Sequence, residues 1–287
     1  NLITPWCISK QRINIPKKTI NFTKAGETEK IEYNTSMEFN LIRSTVPSAT
    51  YTYKSLDENV ATVSSDGTIT SKSIGTTFVK VIDKRNNLSS AVRVNVNGEG
   101  NITTPKIVGG SRYFVALKGN GTVWSWGLNS NGQLGVGDTT NRTEPTQVKA
   151  EIEEDGEVKE KEITDAIDVA VGYYHTLILR KDGTVWSAGY NHRGQLGDGS
   201  TVSTTKFHKV KGENGVGYLS NIVQIAAAGG GTSYALTADG SVYAWGYNYY
   251  GQLGNNSSST AYVPVKMQKV SNIIQISAGQ NYVTMLD

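Results

Sequence analysis

The sequence has little of what covalent cross-links, metal sites and membrane spans require. Its 287 residues include a single cysteine, Cys7, so no disulfide can form within the chain. Three histidines, His175, His192 and His208, are scattered and lack the spacing of zinc ligands. No apolar run approaches the roughly 18 residues of a membrane-spanning helix. We therefore expect no metal, no cofactor and no membrane span in this chain.

Signatures of catalysis and of nucleic-acid binding are also missing. No glycine precedes a lysine, which excludes a P-loop, and there is no G-x-S-x-G elbow. The carboxylates Glu153-Glu154-Asp155 lie in a charged stretch that is typical of a solvated surface. Of 28 Lys and Arg and 25 Asp and Glu, 13 and 9 fall in residues 1–100, which leaves 15 and 16 for the remainder. We predict that the chain is not an enzyme and has no nucleic-acid partner.

The most regular feature of the sequence is a motif that occurs three times. Gly121 to Gly135 reads GTVWSWGLNSNGQLG, Gly183 to Gly197 reads GTVWSAGYNHRGQLG, and Gly240 to Gly254 reads GSVYAWGYNYYGQLG. The final glycines are 62 and then 57 residues apart, a period that indicates stacked supersecondary units. A fourth unit begins at Ile274 and reaches Asp287.

Each copy predicts a hairpin followed by a strand with two unlike faces. Both members of an Asn-Gly or Asp-Gly pair tolerate positive φ, so each pair predicts a two-residue turn. The pairs are Asn120-Gly121, Asp182-Gly183 and Asp239-Gly240. Along the tryptophan strand, small residues alternate with aromatic ones, as the converging blades of a propeller require. The corner that follows should bury its leucine, which is Leu134, Leu196 or Leu253.

This repeated motif resembles the repeat of the regulator of chromosome condensation family, whose members build seven-bladed β-propellers. The pattern G-x-x-H-x-x-x-L-x-x-D-G-T-V-x-x-W-G-x-N-x-x-G-Q-L-G covers residues 106–287. The family histidine is present only as His175, because the other copies have Tyr113, Thr232 and Tyr282. Three units and part of a fourth leave open sheet faces. Either the chain is a fragment of a longer propeller, or two chains combine into one ring as a homodimer.

The N-terminal part of the chain has a different pattern. Residues 77–82 and 91–96 alternate and are rich in β-branched residues, and Ile13-Asn-Ile15 and Ile69-Thr70 add shorter segments, which predict half-buried strands. Turn signals separate the segments at Ser65-Asp-Gly67 and Arg85-Asn-Asn87. Several short strands over about 85 residues suit a small β-sandwich.

The stretch from Asn59 to Val81 resembles the second group of bacterial immunoglobulin-like domains, and Pro47-Ser-Ala-Thr50 fits the same pattern. The resemblance implies a spacer or adhesive module of bacterial surface and secreted proteins. We therefore predict an all-β chain. It consists of an immunoglobulin-like β-sandwich at 13–97, a linker rich in Gly and Thr at 98–105, and a partial β-propeller of about three and a half repeat units at 106–287.

Two surfaces of the repeat region differ between copies. The charged stretch 149–163, centred on Asp155-Gly156, predicts a protruding hairpin that is either a partner surface or a tolerant loop. The loops 128–131, 190–193 and 247–250 share an asparagine that we expect to close its own backbone turn.

The variable loop residues are of types that are enriched at binding hot spots. They are Tyr190, His192, Arg193, Tyr247, Tyr249 and Tyr250. Gathered on one rim, they would form a platform for a protein or a glycan; the alternative is that they pack against neighbouring blades.

Together these features favour a non-enzymatic protein-binding or adhesion module of a bacterial surface or secreted protein, with the propeller loops as its interaction surface. The expected ligand is a protein or glycan on a host or bacterial surface, and the expected location is extracellular, secreted or cell-wall associated. The propeller resemblance implies two alternatives, a secreted inhibitor of a hydrolase such as a β-lactamase and a guanine-nucleotide exchange factor for a small GTPase. A nucleotide-exchange assay and a panel of hydrolases would separate them.

Overall fold

The computed structural model describes residues 12–14, 19–22, 24–31, 34–36, 51–83, 88–97, 101–154 and 156–287. Within these ranges the regular elements are β-strands, apart from one 3₁₀ turn at Glu213–Gly215. The predicted all-β class is therefore confirmed. The chain divides into two compact units, Asn1–Val96 and Asn97–Asp287. The predicted boundaries at 13–97, 98–105 and 106–287 stay a prediction.

The N-terminal unit is a β-sandwich. Its strands are β1 (Arg12–Asn14), β2 (Thr19–Phe22), β3 (Thr28–Lys30), β4 (Asn34–Ser36), β5 (Tyr51–Ser55), β6 (Ala61–Val63), β7 (Thr68–Ser71), β8 (Gly75–Asp83) and β9 (Leu88–Val96). One sheet has the order β2-β9-β8-β5, a second has the order β3-β7-β6, and β1 pairs with β4. Alternate residues of β8 and β9, such as Val79 and Val94, face Ile69 and Ala61 of the second sheet in one core.

The predicted turn at 65–67 joins β6 to β7. The Gly67 amide donates to the Ser64 carbonyl at 3.0 Å, and Gly67 has φ +86°. Hydrogen bonds from Ser64 and Thr68 lower the pKa of Asp66. Several predicted features lie outside the described residues, namely Cys7, Ile15, the segment 47–50, the turn 85–87, the first three residues of the linker and Asp155.

The C-terminal unit is built from four-stranded antiparallel blades. Its strands are β10 (Lys106–Gly109), β11 (Tyr113–Leu117), β12 (Val123–Gly127), β13 (Arg142–Gln147), β14 (Lys149–Glu154), β15 (Glu157–Glu162), β16 (Ala166–Val171), β17 (His175–Arg180), β18 (Val185–Gly189), β19 (Thr204–Lys209), β20 (Ile222–Ala228), β21 (Thr232–Thr237), β22 (Val242–Gly246), β23 (Ala261–Lys266), β24 (Gln275–Ala278) and β25 (Val283–Leu286). Blade 1 is β10–β13, blade 2 is β16–β19 and blade 3 is β20–β23, while β24 and β25 begin blade 4. The predicted partial propeller is confirmed.

Because each blade is an antiparallel meander, its connections alternate between two ends. The loops between the first and second strands and between the third and fourth strands lie at one end, which we call the upper end. These loops are residues 110–112, 128–141, 172–174, 190–203, 229–231, 247–260 and 279–282. The hairpin turns and the links between blades lie at the opposite, lower end.

The lower-end hairpin turns differ from the predicted two-residue type. Positive φ is confined to the glycine, as at Gly121 with +83°, and Asn120 does not adopt it. The Gly121 amide donates to the Lys118 carbonyl at 2.9 Å. This bond is typical of the longer hairpin turn in which a glycine forms a bulge. The Asn120 side chain instead accepts the Thr122 amide at 3.2 Å. Asparagine and aspartate are therefore selected here for this side-chain bond rather than for positive φ.

The two faces of the tryptophan strand pack against different blades. In β18, Trp186 and Ala188 lie in the core shared with blade 1. Val185, on the other face, lies in the core shared with blade 3, where it meets Trp245. Both tryptophans are essentially fully buried. We call the tryptophan face the back face and the valine face the front face.

The back face of blade 1 is uncovered in the described part of the chain. Phe114 and Trp126 are directly paired on it and stack with 5.6 Å between ring centroids. Ile107 and Phe114 are 67% and 47% exposed, whereas their counterparts Val169 and Thr176 in blade 2 are completely buried. The same sheet face is thus a blade interface in blade 2 and a solvent-facing surface in blade 1.

The charged stretch 149–163 forms the predicted hairpin, β14–β15, whose base joins the sheet of blade 2 while every described residue of β15 is exposed. β14 runs parallel to β19, with Ala150 opposite Phe207, and extends the sheet of blade 2 to six strands. Ala150 is buried in the core between blades 1 and 2. Lys206 of β19 contacts Glu160 at 2.8 Å, and the contacts of Lys149 and Lys206 lower the pKa of Glu160 to about 2. The hairpin therefore contacts the outer edge of blade 2 through Ala150 and through the ion pairs of Lys206.

Candidate functional site

Each long upper-end loop is held by one buried asparagine. The Oδ1 of Asn191 accepts the Leu196 amide at 2.9 Å, and its Nδ2 donates to the carbonyls of Ser200 and Val202 at 3.2 and 3.1 Å. Asn129 and Asn248 make the equivalent bonds in blades 1 and 3. The side chain bridges the whole loop, a wider span than the local turn predicted for it. The corner leucines are completely buried, as predicted.

Aromatic side chains of blade 2 form a first cluster at the upper end. The ring centroids of Tyr190 and His192 are 4.6 Å apart. Tyr174 meets Tyr190 edge-on at 6.3 Å, and Tyr173 meets Tyr174 edge-on at 6.4 Å. Tyr190 and His192 are among the residues predicted for this surface, whereas Tyr173 and Tyr174 were missed. The missed pair directly precedes the family histidine, at two positions whose residues differ between the copies just as the long loops do.

A second cluster lies where blade 2 meets blade 3. The guanidinium carbon of Arg193 lies 4.1 Å from the centroid of the Tyr247 ring, within cation–π range. Tyr249 stacks nearly parallel to Tyr247 at 6.4 Å, and Tyr250 meets Tyr249 edge-on at 5.1 Å. Tyr249 and Tyr250 are each 70% exposed. Arg193 thus packs against the neighbouring blade, while the two outer tyrosines face solvent.

A loop of three glycines, Gly229–Gly231, lies between the two clusters, and we call it the glycine floor. A Cβ on Gly229 would lie 2.6 Å from the Tyr173 ring, so only glycine lets that ring lie against the backbone. On the other side, the Arg193 Nη1 donates to the Gly230 carbonyl at 3.0 Å. The floor brings Tyr173 and Arg193, which belong to different loops of blade 2, to one surface with the tyrosines of blade 3.

The upper-end loops carry few charges. Asp138 is bonded to Arg142 at 2.7 Å, which lowers the pKa of Asp138. Asp198 accepts both the amide and the hydroxyl of Ser200, at 2.9 and 2.8 Å. In the described chain, neither Arg112 nor Arg193 has a carboxylate within salt-bridge distance. The upper-end loops thus carry two arginines, Arg112 and Arg193, against these two aspartates, and the surface is mainly aromatic.

His175 serves the fold rather than this surface. It is 1% exposed, and its Nε2 lies 3.0 Å from the Ser233 Oγ of blade 3. Burial lowers the pKa of His175 to about 4, so the ring is neutral at physiological pH. A Cβ on Gly172 would lie 2.2 Å from this ring, which explains why a glycine precedes it.

The described residues contain no group of three or more His, Cys, Asp and Glu side chains arranged to hold a metal ion. Over the same ranges, no helix has the length and apolar character needed to cross a bilayer.

Known families match both parts of the chain. The regulator of chromosome condensation (RCC1) repeat matches residues 120–179, 182–236 and 239–286, and a second description of the same repeat matches 106–133, 166–195 and 222–252. The bacterial Ig-like domain (group 2) matches residues 18–102.

Curated relatives share the repeat region. The X-linked retinitis pigmentosa GTPase regulator of Canis lupus familiaris is 34% identical over 54% of this chain, and the ultraviolet-B receptor UVR8 of Arabidopsis thaliana is 31% identical over 60%. The chain spans only 14% and 36% of these two proteins.

A solved structure agrees on the fold. Prp20p from Saccharomyces cerevisiae, studied for its binding to Gsp1p and histones, aligns with a TM-score of 0.51 at 18% identity. The alignment covers 72% of this chain and 53% of the yeast chain. The chain therefore belongs to the regulator of chromosome condensation (RCC1) repeat family and carries a bacterial Ig-like domain of group 2 in its N-terminal part.

Proposed function

We propose that the chain is a non-enzymatic protein-binding module whose contact surface is the upper end of blades 2 and 3. The observation that carries this proposal is the pair of aromatic clusters around the glycine floor. Solvent-facing tyrosines on loops fixed by buried asparagines offer a large contact area at low entropic cost. The relatives support a protein ligand, because one is named a GTPase regulator and Prp20p was studied with Gsp1p and histones.

The bacterial Ig-like domain favours a place of action on a bacterial surface or in secretion, so we propose adhesion to a host or bacterial surface as the finer role. A glycan stacked on the tyrosines is a second ligand class for the same surface. Inhibition of a hydrolase and nucleotide exchange on a small GTPase are two further roles that a protein-binding surface could serve, and enzyme assays with those targets separate them from adhesion.

The test compares capture of surface proteins by matched variants. The double variant Tyr249→Ala/Tyr250→Ala removes the two most exposed rings of the surface. Tyr218→Ala is the control, because Tyr218 is 56% exposed in the link between blades 2 and 3 at the lower end. We expect proteins solubilised from bacterial and host cell surfaces to bind the unmodified chain and the Tyr218→Ala variant. The double variant should no longer capture them. Equal capture by all three would rule out this surface.

We also propose a homodimer in which blade 4 of one copy covers blade 1 of the other. The front face of blade 4 exposes Tyr282, at the end of the loop 279–282, and Leu286 of β25 by 61% and 45%. Their counterparts in blade 1, Tyr113 and Leu117, are buried because blade 2 packs on them. The exposed pair thus has the residue types that already pack on a back face within this chain. A monomer mass measured by light scattering at high concentration would contradict this proposal.

A further inference from the structure

We propose that the glycine floor and Arg193 form a site for an acidic segment of a protein partner. A partner carboxylate would pair with the Arg193 guanidinium, and the adjoining apolar or proline residue would lie over the floor, between Tyr173 and Tyr249. The inference rests on the proposed protein-binding function and names the chemistry of the segment that the surface recognises.

The floor has no side chains of its own, unlike the equivalent loops of the other blades. The loops equivalent to Gly229–Gly231 are Gly110-Ser-Arg112, Gly172-Tyr-Tyr174 and Gly279-Gln-Asn281. Only blade 3 has glycine at all three positions, and the side chains of Tyr173, Asn281 and Gln195 occupy the space that the three Cβ atoms would need. All three floor amides are bonded within the chain, Gly229 to the Gly279 carbonyl at 3.2 Å, Gly230 to the Gln280 carbonyl at 2.6 Å and Gly231 to the Ala228 carbonyl at 3.2 Å. The floor is therefore a rigid surface for contact rather than a nest that binds an anion.

Arg193 is held in place with donors to spare. Its stack on Tyr247 and its single bond from Nη1 to the Gly230 carbonyl fix the plane of the guanidinium. A guanidinium has five N–H donors, and two of them can engage one carboxylate side by side. The side chain is exposed, so these donors are within reach of a partner. Fixing the plane beforehand reduces the entropy lost when a carboxylate binds.

Charge complementarity selects an acidic partner over a basic one. The carboxylates of the upper end, Asp138 and Asp198, are occupied by Arg142 and by Ser200. The loop 247–260 next to Arg193 contains no charged residue. A basic segment would meet Arg193 without a compensating carboxylate, and like charges that meet in an interface disfavour binding.

The experiment uses the full chain and peptides of defined charge. The probes are fluorescent twelve-residue peptides that repeat Glu-Pro-Tyr, with two matched sets in which glutamine or lysine replaces each glutamate. Affinity is measured by fluorescence polarisation at two salt concentrations, with Arg193→Gln as the test variant. Arg112→Gln is the control, because it removes the same charge from the same end, and thermal melts of each variant confirm folding.

We expect the glutamate set to bind about fivefold more tightly than the glutamine set and to weaken as salt rises. Arg193→Gln should abolish this preference and Arg112→Gln should keep it. Arg193→Lys, which retains the charge but not the planar fork, should fall between them.

Equal binding of the glutamate and glutamine sets, equal effects of Arg193→Gln and Arg112→Gln, or no measurable binding of any set would each overturn the inference. Its failure is distinguishable from that of the proposed function. Suppose that Tyr249→Ala/Tyr250→Ala abolishes capture of surface proteins but the glutamate peptides show no advantage. The proposed binding surface would then be supported, and its selectivity for an acidic segment would be contradicted.

Discussion

At the scale of single residues, His175 makes the stability of the propeller depend on pH. Burial lowers the pKa of His175 from 6.5 to about 4. Between these values the unfolded chain binds more protons at this site than the folded chain does, so acid favours unfolding. The free energy of unfolding should therefore fall as the pH drops from about 6.5 toward 4. Above about pH 6.5, His175 is neutral in both the folded and the unfolded chain and does not lower stability.

The measurement compares urea unfolding of the unmodified chain and of His175→Thr at pH 7 and pH 5. Threonine is the residue that blade 3 has at this position, Thr232. Lowering the pH should cost the unmodified chain about 2 kcal/mol more than the variant. Subtracting the pH effect measured for the variant removes the contribution of the carboxylates, because they titrate in both chains. The same pH dependence in both would show that His175 is not the titrating group.

The bridging asparagines predict a second effect of a single residue. Asn191→Ala leaves the Leu196 amide and the carbonyls of Ser200 and Val202 without their partner, and should lower the free energy of unfolding by about 2–4 kcal/mol. Asn131→Ala is the matched control, because its side chain reaches only the Ser130 hydroxyl at 3.4 Å, and should change stability by less than about 0.5 kcal/mol. Urea titration measures both, and equal losses would contradict the bridging role.

At the scale of elements, the hairpin β14–β15 lies beside the outer edge of β19. Replacing residues 151–162 with Asn-Gly keeps Ala150, which pairs with Phe207 of β19, but removes β15 and the rest of β14. The edge of β19 that these residues shield would then be open to other chains. We expect this variant to form larger species on concentration, detected by dynamic light scattering. The control, Val158→Ala, changes an exposed side chain of β15 and should scatter like the unmodified chain.

The elements also separate what sequence patterns specify from what they leave open. The alternation in 77–82 and 91–96 predicted β8 and β9, because one face of each strand must be apolar to join the core. The Asn-Gly and Asp-Gly pairs predicted the hairpins but the wrong turn, since both turn types place glycine at a positive φ. The pairing of β14 with β19 joins segments that are far apart in sequence, and no local pattern encodes it.

At the scale of the whole molecule, the open back face of blade 1 is the contact surface of the proposed homodimer. Phe114 is 47% exposed and stacks on Trp126, and both would be covered in the proposed dimer. Phe114→Lys places a charge in that interface and should convert dimer to monomer in sedimentation, because an unpaired buried charge costs several kcal/mol. Val216→Lys is the control on the lower end, where an exposed residue should leave the mass unchanged. A dimer that persists in Phe114→Lys would place the contact elsewhere.

The sequence by itself determined the all-β class, the repeated blades, the buried leucine of each corner and the aromatic character of the upper loops. These follow from local composition and periodicity, which fix what a strand or a turn must be. Only the tertiary structure decided which loops share a surface. Tyr173, the glycine floor, Arg193 and Tyr247 come from four loops and meet only because consecutive blades pack back to front. The physical reason is that a blade buries its tryptophan face only against its neighbour, and this packing sets which upper-end residues lie side by side.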